Sequence, residues 1–110
     1  MKVYTVSSLT EVTNGSTVQT DEVLVETAPH EDYLVYQFNS FSNAAGTNVS
    51  AITTVKIQGR MDPTAAWVDI ATHTSGSNVI AQTAGFMPYI RFEFINSSGA
   101  TKYVSTWVGR

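Results

Sequence analysis

The groups best able to do chemistry in this 110-residue chain are two histidines, nine carboxylates and a set of aromatic side chains. Each needs a particular spacing before it can act. His30 follows Pro29, and His73 follows the apolar run that ends at Ala71. Neither has a second ligand at the short spacing of a zinc site, so both read as solvated turn histidines. Cysteine is absent, which excludes disulfides, thiol nucleophiles and thiolate metal sites. Serine is plentiful, yet no Gly-x-Ser-x-Gly elbow presents one as a nucleophile. The carboxylates Asp21-Glu22, Glu31-Asp32, Asp62 and Asp69 would serve a calcium ion or a glycosidase pair only if their oxygens converged on one point. Neighbouring residues on a strand point to opposite faces, so the adjacent pairs do not converge by themselves. Asp62, just before Pro63, is explained as the first residue of a type I turn. No catalytic residue, metal ligand or cofactor is therefore expected.

The aromatic residues carry two readings. Trp67, Trp107, Tyr89 and Tyr103 could line one exposed sheet face as a platform for stacking sugars, or they could fill a core or an interface. In Trp67-Val68-Asp69-Ile70, Trp67 and Asp69 share the face opposite to Val68 and Ile70. A tryptophan of that size outside the core covers another strand or another subunit. Core or interface is the favoured reading. Trp67, Arg91 and Trp107 are expected as packing anchors or interface hot spots, because Trp and Arg dominate such contacts.

The elements that must position these residues are strands. Lys2 to Val6 alternates and reads as a first strand, followed by a turn at Thr13-Asn14-Gly15-Ser16. Asp21 to Thr27 places Val23 and Val25 on one face and Leu24 on the other, and Ala28-Pro29-His30-Glu31-Asp32 breaks it. In Tyr33 to Phe41 the set Leu34, Tyr36, Phe38 and Ser40 is the expected core face. Ser42 to Asn48 is a small-residue loop, and Val49 to Gly59 is rich in β-branched residues with Val55 and Ile57 inward. Trp67 to Ala71 forms the next strand, Ser75-Gly76-Ser77-Asn78 a turn, and Val79 to Thr83 a weak strand. Phe86 to Ile95 opposes Ile90, Phe92 and Phe94 to Tyr89, Arg91 and Glu93; a turn at Asn96-Ser97-Ser98-Gly99 then leads into Thr101 to Val108. About seven or eight short strands, and no window with a helical apolar period, indicate an all-β antiparallel sandwich of jelly-roll or Ig-like type with essentially no helix.

Length and composition bound the rest. The chain fits one domain, 1–110, with residues 1–20 as an N-terminal arm or a first strand. Charged residues make up 14%, well below the roughly 25% usual in soluble domains, so hydroxyls and amides must cover much of the surface. The net charge is −3, and Lys2, Lys56, Arg60, Arg91, Lys102 and Arg110 are scattered along the sequence. No basic stripe of the kind that displaces counterions from phosphates is visible, and no nucleic-acid partner is expected. No apolar run approaches a membrane span, and no basic-plus-apolar leader follows Met1, so synthesis in a cytoplasm is expected. Asn14-Gly-Ser, Asn48-Val-Ser and Asn96-Ser-Ser match the glycosylation sequon, and chance accounts for them in so Ser- and Asn-rich a chain.

From Val55-Lys56-Ile57-Gln58-Gly59 through Asp62 to Trp67-Val68-Asp69-Ile70, then in Phe86-Met87-Pro88-Tyr89-Ile90-Arg91-Phe92 and Thr101 to Val108, the chain resembles small β-sandwich virion proteins of tailed bacteriophages. The likeness covers roughly the C-terminal half. It implies a non-enzymatic virion component, such as a head decoration or cement protein that binds neighbouring shell subunits. The implied partners are the major capsid protein or other virion subunits, together with further copies of the chain as a homo-oligomer such as a trimer. A tail or adaptor component of the virion, and a carbohydrate- or receptor-binding module, are the alternatives.

Overall fold

The computed structural model describes residues 1–26, 33–84 and 87–110, with the side chain of Ala84 left aside. The described residues form nine strands and no helix: β1 (Val3–Val12), β2 (Ser16–Gln19), β3 (Val23–Leu24), β4 (Tyr33–Phe41), β5 (Ile52–Arg60), β6 (Val68–Gly76), β7 (Asn78–Ala84), β8 (Tyr89–Asn96) and β9 (Lys102–Gly109). They build two antiparallel sheets, a four-stranded sheet ordered β1-β9-β4-β7 and a five-stranded sheet ordered β2-β8-β5-β6, with β3 also paired to β8. This is the all-β sandwich that the alternation predicts.

The core lies between the sheets and is filled by the inward residue of each strand pair. Leu34, Tyr36 and Phe38 from β4 and Val104 and Val108 from β9 meet Ile52, Val55 and Ile57 from β5 and Ile90, Phe92 and Phe94 from β8. The period-2 pattern works because β4, β5, β8 and β9 each have one face on this core and one face outside it. The expected core face of β4 is the buried one, including Ser40.

Residues 1–20 carry two strands, one in each sheet. β1 pairs with β9 from Val3↔Gly109 to Val12↔Lys102, with register shifts in the middle where Leu9 takes a φ of 46°. β2 pairs with β8 from Ser16↔Asn96 to Gln19↔Glu93. Gly15, at φ 83°, turns the chain between them, a backbone angle that glycine adopts without a Cβ clash.

Several boundaries differ from those read in the sequence: the first strand runs on to Val12 rather than ending at Val6, the strand read from Asp21 is Val23–Leu24 among the described residues, and the one read from Val49 begins at Ile52. The strand that begins at Val68 continues through Gly76, so Ser75-Gly76-Ser77-Asn78 is no separate hairpin turn; the chain changes sheets at Ser77 and continues at once as β7. A β-bulge opposite Ile57 and Gln58 inserts one residue in β6, which lets Ile70 and Ala71 both pack against the core. Val68, paired with Gly59 at the end of the ladder, stays half exposed rather than joining Ile70 inside. The expected break at residues 28–32, which includes His30, and the start of the Phe86 strand lie outside the described residues.

Candidate functional site

The two outer sheet faces differ in chemistry, and they hold every residue expected at an interface. On the five-stranded sheet, the outward residues of β5, β6 and β8 interlock around Gln58. Its side-chain amide donates to Asp69 Oδ1 at 2.8 Å, and its carbonyl accepts from Arg91 Nε at 2.8 Å. Register explains the meeting, since Gln58 pairs with Asp69 on one side and with Arg91 on the other. Asp69 also pairs with Lys56 Nζ at 3.3 Å. The Gln58 hydrogen bond, then Lys56, holds the Asp69 carboxyl below the usual carboxylate range.

Trp67, immediately before β6, has two guanidinium groups against its ring. Arg60 and Arg91 each stand 4.4 Å from its ring centroid, a double cation–π stack. Arg60 is fixed further by Glu22 at 2.9 Å and by the Ala65 carbonyl at 3.3 Å. The loop that brings Trp67 there is shaped by Asp62, whose Oδ1 accepts from the Thr64 backbone N–H at 2.9 Å and from the Thr64 hydroxyl at 2.6 Å. These two bonds hold the Asp62 carboxyl low and make it the turn residue that its place before Pro63 implies. Three bases scattered in sequence, Lys56, Arg60 and Arg91, thus share one face, interleaved with Glu22, Asp69 and Glu93.

Trp107 is on the opposite side of the molecule. It points outward from β9, between Thr5 of β1 and Gln37 of β4, and Gln37 in turn faces Ile80 of β7. The structure therefore joins Trp67 to Arg91 and separates Trp107 from both. It also divides the expected four-residue aromatic platform, with Trp67 and Tyr89 on one face and Trp107 and Tyr103 on the other. Alternation along one strand does not say which outward faces coincide; that depends on which sheet a strand joins.

The four-stranded face has other properties. Its strands carry two charged side chains, Glu11 and Lys102. Lys102 points inward and is buried, with Nζ on Ser50 Oγ, so Glu11 at one corner is the only charge facing out among these described strands. Around Trp107 the surface is apolar: Met1, Val3 and Ile80 are 69%, 63% and 71% exposed. With Val35, Gln37 and Trp107 they line a shallow groove of about 140 Å³. Beside it the amides of Gln37, Asn39 and Asn78 form a short ladder, at 3.1 Å and 2.9 Å.

His73 is not a solvated turn histidine. It lies inside β6, opposite Val55, and its Nε2 is 2.6 Å from the Tyr36 hydroxyl, with the imidazole edge-on to Phe38. The early strand ending read at Ala71 concealed this, because two more alternations along β6 bring His73 to the inner face. Asn96, read as a turn and a chance sequon, is 1% exposed and donates to the carbonyls of Val12 and Ala100 at 2.8 Å each. Among the described residues no three His, Asp or Glu side chains are grouped to hold a metal ion. No protein-family model matches the chain, and no curated protein matches it.

Proposed function

We propose that the chain is a structural subunit of a bacteriophage virion, a decoration or cement protein that joins neighbouring subunits of the shell. One observation carries this reading: a slab about 19 Å through its thinnest dimension presents a rigid, charged aromatic stack on one broad face and a nearly charge-free apolar surface on the other. A molecule with two chemically distinct broad faces is suited to sitting between partners. Interface cores are depleted of charge and enriched in Trp, Tyr, Met and Arg; the four-stranded face follows the first part of that composition, and the Arg60–Trp67–Arg91 stack supplies the Trp and Arg of the second on the other face. The likeness of the segments around Gln58-Gly59, Trp67 and Arg91 to small virion sandwiches supports the same reading. On this reading the Arg60–Trp67–Arg91 stack meets the shell, its guanidiniums held ready by Glu22 and Gln58.

Co-sedimentation with phage heads that lack the protein tests the proposal. Pelleting with heads, reduced at least ten-fold by Arg91→Ala, is expected. A chain that stays in the supernatant at tens of micromolar overturns it. The amide ladder beside the half-buried Trp107 favours a second reading, a glycan- or receptor-binding module, because amides and an aromatic ring are what a sugar ring meets in a protein. Retention on a glycan array that is abolished by Trp107→Ala would establish it. A tail or adaptor position would show as binding to tails rather than heads.

A further inference from the structure

We propose that the outer face of the four-stranded sheet is a self-association surface, on which a second copy of this chain packs face to face about a two-fold axis. The face presents the rows Val3–Gly109–Val35–Gln82 and Thr5–Trp107–Gln37–Ile80, then Ser105–Asn39–Asn78. The first two rows hold its large apolar groups, and no charge interrupts any of the three.

Size, charge and hydrogen-bonding chemistry select the occupant. Four strands spaced about 4.8 Å apart and some 30 Å long give a footprint of about 570 Å² on each copy. Two such footprints make about 1,100 Å² before side-chain relief is added, above the roughly 1,000 Å² that a specific contact needs. With Glu11 at one corner as its one outward charge among the described strands, the face offers no charge pattern by which a charged partner could be chosen, so its complement is another nearly charge-free face, and a second copy supplies one. The amides of Gln37, Asn39, Asn78 and Gln82 point the same way, because each carries donors and an acceptor and can pair with its own symmetry mate. A sugar ligand fits less well: it could bond the amides of Gln37, Asn39 and Asn78, but Met1, Val3 and Ile80 around Trp107 are large, exposed and apolar and would face its hydroxyls. Packing these side chains on a second sheet removes them from water, as the two inner faces of a sandwich do for each other.

The contact does not depend on a virion setting, so it can fail or hold independently of head binding. Light scattering across a dilution series of the full chain is expected to give twice the chain mass at tens of micromolar, with the Trp107 emission shifting to the red as copies separate. Ile80→Asp places a charge at the most exposed point of the face and is expected to weaken dimerisation by at least ten-fold, while circular dichroism stays unchanged. Thr72→Asp, exposed on the other sheet, leaves the dimer intact. A chain that is monomeric at all concentrations, a mass three times that of the chain, or an Ile80→Asp variant that dimerises like the parent would each overturn the proposal. A monomer whose Trp107 emission responds to oligosaccharide would overturn it in favour of a glycan surface.

Discussion

The Tyr36 hydroxyl and His73 Nε2 lie 2.6 Å apart between the two sheets, one side chain from β4 of the four-stranded sheet and the other from β6 of the five-stranded sheet. This hydrogen bond ties sheet to sheet among the apolar side chains that make up most of the core. Its partners sit among aromatic rings, with Tyr36 edge-on to Phe92 and His73 edge-on to Phe38.

Burial raises the Tyr36 hydroxyl above its ordinary pKa of 10.0. A group held protonated more firmly in the folded state than in the unfolded one contributes stability that is complete below the unfolded value and is lost as pH rises through the folded value. Unfolding free energy is therefore expected to decline above pH about 10, and the Tyr36→Phe variant to decline less steeply. At pH 7 the same variant leaves His73 without its partner and loses about 1–2 kcal/mol. Urea titrations of both proteins from neutral to alkaline pH read both effects, and parallel curves would refute the assignment.

Asn96 holds the end of β8 to its surroundings. It donates to the Val12 and Ala100 carbonyls, and its Oδ1 accepts from the Ser98 backbone N–H and hydroxyl at 3.1 Å and 2.6 Å. Asn96→Ala removes the four hydrogen bonds that this side chain makes to Val12, Ser98 and Ala100 and is expected to destabilise by about 2–4 kcal/mol. Asn96→Asp, which turns an oxygen toward those carbonyls, is expected to be at least as damaging. Thermal melts rank the two, and the glycosylation sequon at this position is expected to stay unmodified in the folded protein.

Trp67→Ala removes the ring on which Arg60 and Arg91 both stack. The indole is half-buried, so a loss of about 1–3 kcal/mol is expected, below that of a core tryptophan. Loss of affinity for heads should exceed what the stability change explains, because the two guanidiniums are released from a fixed orientation. Equal head binding by folded Trp67→Ala would remove the stack from the interface.

Gly59 is required by close approach. A Cβ there would stand 2.7 Å from Ile70 Cδ1 and 2.9 Å from Met87 Cβ, since the β6 bulge sends Ile70 across this position. Gly59→Ala is expected to destabilise by about 1–3 kcal/mol. Combining it with Ile70→Val, which shortens the side chain in the way, should recover part of the loss in denaturant titrations.

Asp69 gives a small acid-side effect. Its carboxyl is held low, so its contribution is complete above the unfolded carboxylate value and disappears as pH falls through the lower folded one. With its side chain 47% exposed, solvent screening keeps that contribution to a fraction of a kcal/mol. Asp69→Asn is expected to flatten the stability curve slightly below pH about 4, with little change at pH 7.

The strands with one apolar and one polar set were readable directly. Tyr33 to Phe41 and Phe86 to Ile95 alternate so strictly that no other backbone period buries the apolar set, and Val49 to Gly59 adds β-branched residues. The turn at Asn14-Gly15 and the Asp62-Pro63 loop were legible because their residues favour those backbone angles locally. Ser16–Gln19 was missed because a four-residue edge strand of Ser, Thr, Val and Gln shows only one large apolar residue, Val18, on its core face. His73 was misplaced because Thr72, Thr74 and Ser75 around it look like a turn and become a strand by pairing with β5.

From its own residues the sequence determined that this protein is all-β and which side chains alternate inward on its strongest strands; it left open whether Trp67, Arg91 and Trp107 pack in a core or at an interface. Tertiary structure alone decided that Trp67 and Arg91 share a face with Arg60 while Trp107 belongs to the other, that Lys102 and Asn96 are buried, and that one broad face is almost without charge. The reason is physical: side-chain alternation is a property of a single strand, whereas sheet membership and register follow from which distant strands bury each other's apolar faces.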